Sequence, residues 1–163
     1  MVRSNNRLWR RVRWLGVNLC RMLLSVTFIL SGIVKLIDPV GTQYKIEDYA
    51  QAFGLSALLP GFVPLLLAVG LAFVEFDLGI CLFFGCHRKR ASRFCLLFLA
   101  LMTPLTLYLA LDNPVSDCGC FGDAFTLTNW QTFYKNLILL VAAVFVVWYY
   151  RMMTRFVLER NQW

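Results

Sequence analysis

Four long apolar runs constrain the fold of this 163-residue chain more than any other feature of its sequence. Each run has roughly the 20 residues that a helix needs to cross about 30 Å of hydrocarbon, where only a helix or a closed barrel satisfies its backbone. A mean hydropathy of +0.65 agrees with a bilayer as the solvent. The sequence therefore predicts one all-α integral membrane domain over residues 1–163, a bundle of four transmembrane helices at about 14–37, 62–85, 94–111 and 133–150.

The first run follows a cluster of arginines, as the apolar region of a cleaved signal sequence does. It is too long for such a region, it carries Arg21, and no small-residue cleavage site follows it. We therefore interpret it as a helix of the mature protein.

The net charge of +7 is unevenly distributed between the two sides of the predicted bundle. Most basic residues precede the first run, separate the second from the third, or follow the fourth: Arg3, Arg7, Arg10, Arg11, Arg13, Arg88, Lys89, Arg90, Arg93, Arg151, Arg155 and Arg160. The positive-inside rule then predicts a bacterial inner-membrane protein with both termini in the cytoplasm and outer loops at 38–61 and 112–132. Because membrane orientation accounts for the basic clusters, no nucleic-acid partner is expected.

The first outer loop opens with Asp-Pro, closes with Pro-Gly, and carries apolar residues at roughly helical spacing between them. These residues are Tyr44, Ile46, Tyr49, Ala52, Phe53 and Leu55. The pattern predicts a short amphipathic helix in contact with lipid headgroups. It is either a connecting helix without chemistry or a lid over the second outer loop.

The second outer loop contains the polar stretch "NPVSDCGCFGDAF", residues 113–125, with Cys118 and Cys120 separated by one glycine. On an oxidising face, thiols form disulfides. A Cys-x-Cys disulfide closes a very small ring, whose strain makes it easier to reduce, and Gly119 tolerates the dihedrals that such a ring imposes. The pair therefore favours thiol–disulfide exchange, with a purely structural disulfide as the alternative. Thr128 or Asn129, further along this loop, are candidates to cap the fourth helix.

Two aspartates flank this pair and qualify its chemistry. Asp117 and Asp123 would raise the thiol pKa values if they lie close, and one of them is a candidate proton relay during exchange. A zinc site would need two further ligands, and His87 is predicted on the opposite side of the membrane, so no metal is expected here.

The remaining cysteines, Cys20, Cys81, Cys86 and Cys95, fall in the inner half of the predicted bundle. A free cysteine in an apolar helix usually behaves as a small hydrophobic residue. The alternative is an electron relay across the membrane, which would have to bridge about 20 Å or more.

Charged residues interrupt the first two helices: Arg21, Glu75 and Asp77. Unpaired charges at such depth are expensive. At 1.5 Å per residue, Arg21 and Glu75 are about 10 and 15 Å from the inner ends of their runs, so we predict an intramembrane pair between them. A proton or substrate pathway through Glu75 is the alternative.

The chain resembles the DoxX-like superfamily of small four-helix membrane proteins, and within it the methylamine-utilisation MauE branch. The resemblance rests on "FILSGIVKLIDP" with "YKIEDYAQAF" after it, on Arg21, on "FVEFDLGICLFFG" with Glu75, and on "DCGCFGD". It implies a role in extracytoplasmic thiol–disulfide chemistry beside a separate periplasmic thioredoxin-like partner or client protein.

Quinone-dependent disulfide-generating membrane enzymes offer a comparison, although they typically carry two extracytoplasmic cysteine pairs and this chain has one. A quinone is a possible cofactor, with Trp130, Phe133, Phe121 and the surface helix as its candidate site. The predicted function is disulfide exchange through Cys118 and Cys120. The alternatives are a non-catalytic assembly module with a structural disulfide and a proton-coupled small-molecule transporter that uses Glu75.

Overall fold

The computed structural model describes residues 2–54, 59–112, 127–154 and 156, with side chains from residue 7 onward, and its regular elements over these ranges are all helical. The elements are α1 (Val2–Ile37), α2 (Pro39–Ala52), α3 (Val63–Phe84), α4 (Arg88–Asp112) and α5 (Asn129–Trp148), followed by a 3₁₀ turn, Tyr150–Met152. Within the described part, α1, α3, α4 and α5 are long and apolar enough to span a membrane. The predicted fold class is confirmed.

Three of the helices begin earlier than the apolar runs. α1 starts at Val2 instead of residue 14, α4 at Arg88 instead of residue 94, and α5 at Asn129 instead of residue 133. Arginine and lysine are good helix formers, and their long side chains reach water or headgroups while the backbone stays helical. Hydropathy therefore predicts the part of each helix that can lie in hydrocarbon. It does not predict the polar first turns of the same helix.

Side-chain N-caps mark the starts of α2 and α5. The Asp38 carboxylate accepts a hydrogen bond from the Gly41 N–H at 2.9 Å, and Pro39 occupies the first turn. Thr128 caps α5 in a capping box with Gln131, as one of the two predicted caps. Such caps satisfy backbone donors that the helix itself leaves without partners.

α1 and α3 pack so closely that two glycines are needed at the crossing. A Cβ added at Gly32 would lie 2.7 Å from the Phe76 backbone nitrogen, and one at Gly79 would lie 2.8 Å from the Ile29 nitrogen. Ser25 Oγ also donates to the Gly79 carbonyl at 2.8 Å. Close approach through small residues is the usual way in which membrane helices associate, and it fixes the register of α1 against α3.

The arginine-rich segments meet at one end of the bundle, which we call the basic end. Here Arg88 Nη1 donates to the Met153 carbonyl at 3.0 Å, and the Phe156 N–H donates to the Phe84 carbonyl at 3.1 Å. The end of α1, the start of α3, the end of α4 and the start of α5 lie opposite, and we call this the loop end. α2 follows α1 there after a single residue, Asp38.

The core of the bundle is small and the remaining surface is apolar. About a third of each candidate spanning segment is buried inside the protein. Large apolar side chains such as Leu19, Leu66, Phe94 and Val141 are exposed on the outer faces of the helices. An apolar exterior of this kind suits lipid as the surrounding medium.

Candidate functional site

A buried ion pair joins α1 to α3 near the loop end. Lys35 Nζ lies 2.7 Å from each carboxylate oxygen of Glu75. Ser31, one turn before Lys35, donates its hydroxyl to Glu75 Oε2 at 2.6 Å and accepts from Lys35 at 3.1 Å. Lys35 and Glu75 are each only 4% exposed. The pair follows from the α1–α3 register, because the contact of Gly32 with Phe76 brings Glu75 beside Ser31 and Lys35.

The ion pair lines a cavity of about 230 Å³ in the half of the bundle nearest the loop end. Most of its wall is apolar, and all five helices contribute to it. The lining comprises Thr27, Phe28, Ser31, Lys35, Thr42, Lys45, Ile46, Tyr49, Leu71, Glu75, Phe98, Leu99, Met102, Leu105, Asn136 and Leu139. Two residues of the predicted amphipathic face of α2, Ile46 and Tyr49, therefore face the bundle interior.

A second polar contact involves Asn136, which also lines the cavity. Asn136 of α5 donates to the Thr106 hydroxyl of α4 at 3.3 Å. Thr106 in turn donates to the Thr103 carbonyl at 2.9 Å, next to Pro104, which supplies no backbone N–H to the helix. α4 is thus tied to α5 beside the cavity by side-chain hydrogen bonds.

The predicted pair between Arg21 and Glu75 is wrong. Arg21 lies ten residues before Ser31 on α1, about 15 Å along the helix axis at 1.5 Å per residue. The prediction took the inner ends of the two apolar runs as level. In the structure Ser25 meets Gly79, which sets Arg21 near the last turn of α3 and far from Glu75.

Arg21 instead binds the segment that follows α5. It is fully buried, its Nη1 donates to the Thr154 carbonyl, and its guanidinium stacks over the Phe156 ring at 5.4 Å. The Thr154 N–H donates to Asn18 Oδ1 at 3.0 Å. Arg21 therefore holds the chain after α5 against α1 at the basic end.

The predicted exchange residues Cys118, Cys120, Asp117 and Asp123 lie outside the described residues, as does Phe121. The described chain stops at Asp112, where α4 ends, and resumes at residue 127, just before α5. Both of these helix ends lie at the loop end of the bundle.

The other four cysteines are free thiols in the half of the bundle nearest the basic end. Cys95 belongs to the buried core cluster, and Cys20 and Cys81 are partly buried at the edge of that cluster. The nearby Asp77 is exposed, and Cys81 Sγ lies 4.0 Å from its carboxylate. Over the part of the chain that the structure describes, no group of three His, Cys, Asp or Glu residues is arranged to hold a metal ion.

The described parts of the predicted quinone site fall in two places: Trp130 and Phe133 lie together apart from the cavity, whereas the surface helix α2 lines it. The ring centroids of Trp130 and Phe133 are 6.3 Å apart in an edge-to-face contact at the start of α5. Neither residue lines the cavity beside Lys35 and Glu75.

Sequence reasoning missed Lys35 as the partner of Glu75 because Lys35 lies two residues from the end of the first predicted helix, where a lysine normally reaches the membrane interface. A signal for it was present in "SGIVK". Ser31 and Lys35 are four residues apart and share a helix face, inside an apolar run where a lysine needs a partner.

The fold and the site define a multi-pass helical membrane protein with a buried ion pair and a cavity in the bundle. The model of the family described as methylamine utilisation protein MauE matches residues 13–149, from the first spanning helix to the end of α5, and the chain belongs to this family. No curated protein and no solved structure matches the chain.

Proposed function

We propose that this MauE-family membrane protein exchanges disulfides with an extracytoplasmic protein through Cys118 and Cys120. The observation that carries the proposal is where the two helices on either side of Cys118 and Cys120 have their ends. α4 ends and α5 begins at the loop end, opposite the arginine-rich end that the positive-inside rule assigns to the cytoplasm. The same reasoning assigns both termini to the cytoplasm of a bacterial inner membrane. The "DCGCFGD" motif further suggests that the family is a branch of the DoxX-like superfamily.

The state of the other cysteines supports pairing between these two. The chain has six cysteines, and the four described ones are free thiols near the basic end. An intrachain disulfide of Cys118 then has Cys120 as its partner. The strained ring of a Cys-Gly-Cys disulfide favours exchange over permanent cross-linking.

In the proposed reaction a client thiolate attacks one sulfur of the Cys118–Cys120 disulfide. This step forms a mixed disulfide and releases the other cysteine as a thiolate. A second client thiolate then attacks the client sulfur of the mixed disulfide. The client is released with a new disulfide, and Cys118 and Cys120 remain in the protein as a dithiol. The reverse sequence reduces a client. Asp117 or Asp123 is the proposed proton relay in either direction.

The test is a variant that cannot resolve the intermediate. Cys120→Ser should accumulate a mixed disulfide on Cys118 in cells, visible on non-reducing gels and identifiable by mass spectrometry. Cys95→Ser, which changes a buried core thiol, is the matched control and should trap nothing. The proposal fails if Cys120→Ser traps no partner and secreted disulfide proteins are oxidised normally.

The same experiments distinguish the two alternative functions. For an assembly module with a structural disulfide, Cys118→Ser would lower the stability of the protein without trapping a partner. For a proton-coupled transporter, Glu75→Gln would abolish flux while Cys118 and Cys120 keep their reactivity. The transport alternative is weakened because Glu75 is held by Lys35 and Ser31.

A further inference from the structure

The cavity beside the ion pair has the size and the walls of a site for a small ring. An apolar cavity of about 150 Å³ already accepts benzene, and this one measures about 230 Å³. Phe28, Leu71, Phe98, Leu99 and Leu139 form much of its wall. Because the surrounding helices are membrane-spanning candidates, the natural source of an occupant is the lipid phase.

The polar cluster in the cavity wall, formed by Lys35, Glu75 and Ser31, contains both donors and acceptors of hydrogen bonds. Within the cluster, the three N–H donors of Lys35 go to the two Glu75 oxygens and to Ser31, and the Ser31 hydroxyl donates to Glu75. The 3.1 Å contact from Lys35 to Ser31 is the longest of these, so it supplies the donor that a ligand oxygen can take over, while the Glu75 carboxylate keeps lone pairs that can accept. A ligand oxygen that is a carbonyl in one state and a hydroxyl in another finds a partner in both. Ionisable groups at this depth are costly in a bundle that could be packed with apolar side chains, which points to a function for the pair.

The charges of the lining offer little to a cationic ligand. Glu75 is the acidic residue of the described lining, and the Lys35 ammonium 2.7 Å away already neutralises it. An alkylammonium ion would therefore find no uncompensated carboxylate in this lining. A neutral molecule with oxygen atoms needs none.

We propose that this cavity binds the ring of a lipid-soluble quinone, with Lys35 donating to a ring carbonyl the hydrogen that it now directs at Ser31 and Glu75 accepting from the hydroxyl of the reduced form. The site is distinct from the aromatic group of Trp130 and Phe133. It goes beyond the proposed disulfide exchange, because binding requires neither Cys118 nor Cys120.

The test uses the full chain in lipid nanodiscs with decylubiquinone as the probe. Binding is followed by the shift in thermal unfolding and by calorimetry, and both should saturate at one quinone per chain. Methylammonium chloride serves as a second probe and should neither bind nor compete.

Two kinds of variant locate the ligand. Lys35→Gln combined with Glu75→Gln removes both charges together, so no unpaired charge is buried, and should weaken decylubiquinone binding at least about tenfold. Leu105→Phe fills the cavity from α4 and should weaken binding similarly. Leu107→Phe makes the same change at an exposed position of α4 and should leave binding unchanged.

Two outcomes overturn the proposal. One is quinone uptake that does not saturate and is equal in all variants, since that is partition into the lipid. The other is methylammonium binding that the double variant abolishes while quinone does not bind. The double variant Cys118→Ser/Cys120→Ser should keep full quinone affinity. The quinone site is therefore tested independently of the disulfide exchange.

Discussion

Removing one partner of the Lys35–Glu75 pair should destabilise the bundle much more than removing both. In Glu75→Gln the Lys35 ammonium loses its counter-ion and one of the two oxygens that lie 2.7 Å away, and at 4% exposure water does not replace them. Breaking a buried ion pair in this way costs about 3–5 kcal/mol. We therefore expect Glu75→Gln to lower the free energy of unfolding by about that amount.

The double variant Lys35→Met/Glu75→Leu removes both charges and leaves apolar side chains of similar size. Replacing a buried ion pair with apolar residues is often neutral or stabilising by about 1–4 kcal/mol. The free energy of unfolding should therefore be equal to or higher than that of the unmodified protein. The two single variants and the double variant form a thermodynamic cycle, whose coupling energy should exceed about 2 kcal/mol.

The assay is equilibrium unfolding of the purified chain in mixed micelles by titration with sodium dodecyl sulfate, followed by circular dichroism. Asp77→Asn is the matched control, because it removes an exposed carboxylate two residues further along α3. It should change the free energy of unfolding by no more than about 0.5 kcal/mol. A Glu75→Gln variant as stable as Asp77→Asn, or a double variant as unstable as the single ones, would refute the reasoning.

Three further predictions concern the rest of the bundle. Gly32→Ala should destabilise the fold by about 1–3 kcal/mol in the same assay, since its Cβ would meet α3 backbone at 2.7 Å, whereas Gly70→Ala meets nothing within 4 Å and should be tolerated. Arg21→Met should expose the chain after α5 to limited proteolysis, because the contacts to Thr154 and Phe156 are lost; unchanged cleavage would contradict this role. In intact spheroplasts, a membrane-impermeant thiol reagent should label Cys118 and Cys120 only after reduction, and resistance to labelling after reduction would contradict the assigned orientation or the exposure of the pair.

The fold was predictable from the sequence because hydrocarbon imposes a length and an apolar composition on every spanning helix. The starts of α1 and α4 were not, because arginine and lysine can continue a helix outside the apolar zone. Hydropathy also missed the start of α5, but the capping pattern offered Thr128 or Asn129, and the structure uses Thr128.

The partner of Glu75 was harder to predict because it depends on how two helices are shifted along each other. Depth counted from the ends of apolar runs carries an error of several residues, and α1 extends well beyond its run. The glycines that set the shift, Gly32 and Gly79, are visible in the sequence, but the residues that they contact are not. Lys35 is two residues from the end of α1, where a lysine is normally interpreted as an interface residue.

The positions of the cysteines and of the cavity bear on which molecule accepts electrons from the proposed dithiol. The four described cysteines are free and lie towards the basic end, so they do not supply a second pair at the loop end. An exchanging dithiol must pass its two electrons to a second acceptor, either another protein disulfide or a lipid-soluble molecule. On α4 the cavity residue Leu105 lies seven residues before Asp112, about 10 Å along the axis, so the cavity is near the end of α4 from which the chain continues to Cys118 and Cys120. If decylubiquinone both binds beside Lys35 and reoxidises the dithiol, that second acceptor is the ligand of the cavity; if it binds without reoxidising the dithiol, the acceptor is a separate protein.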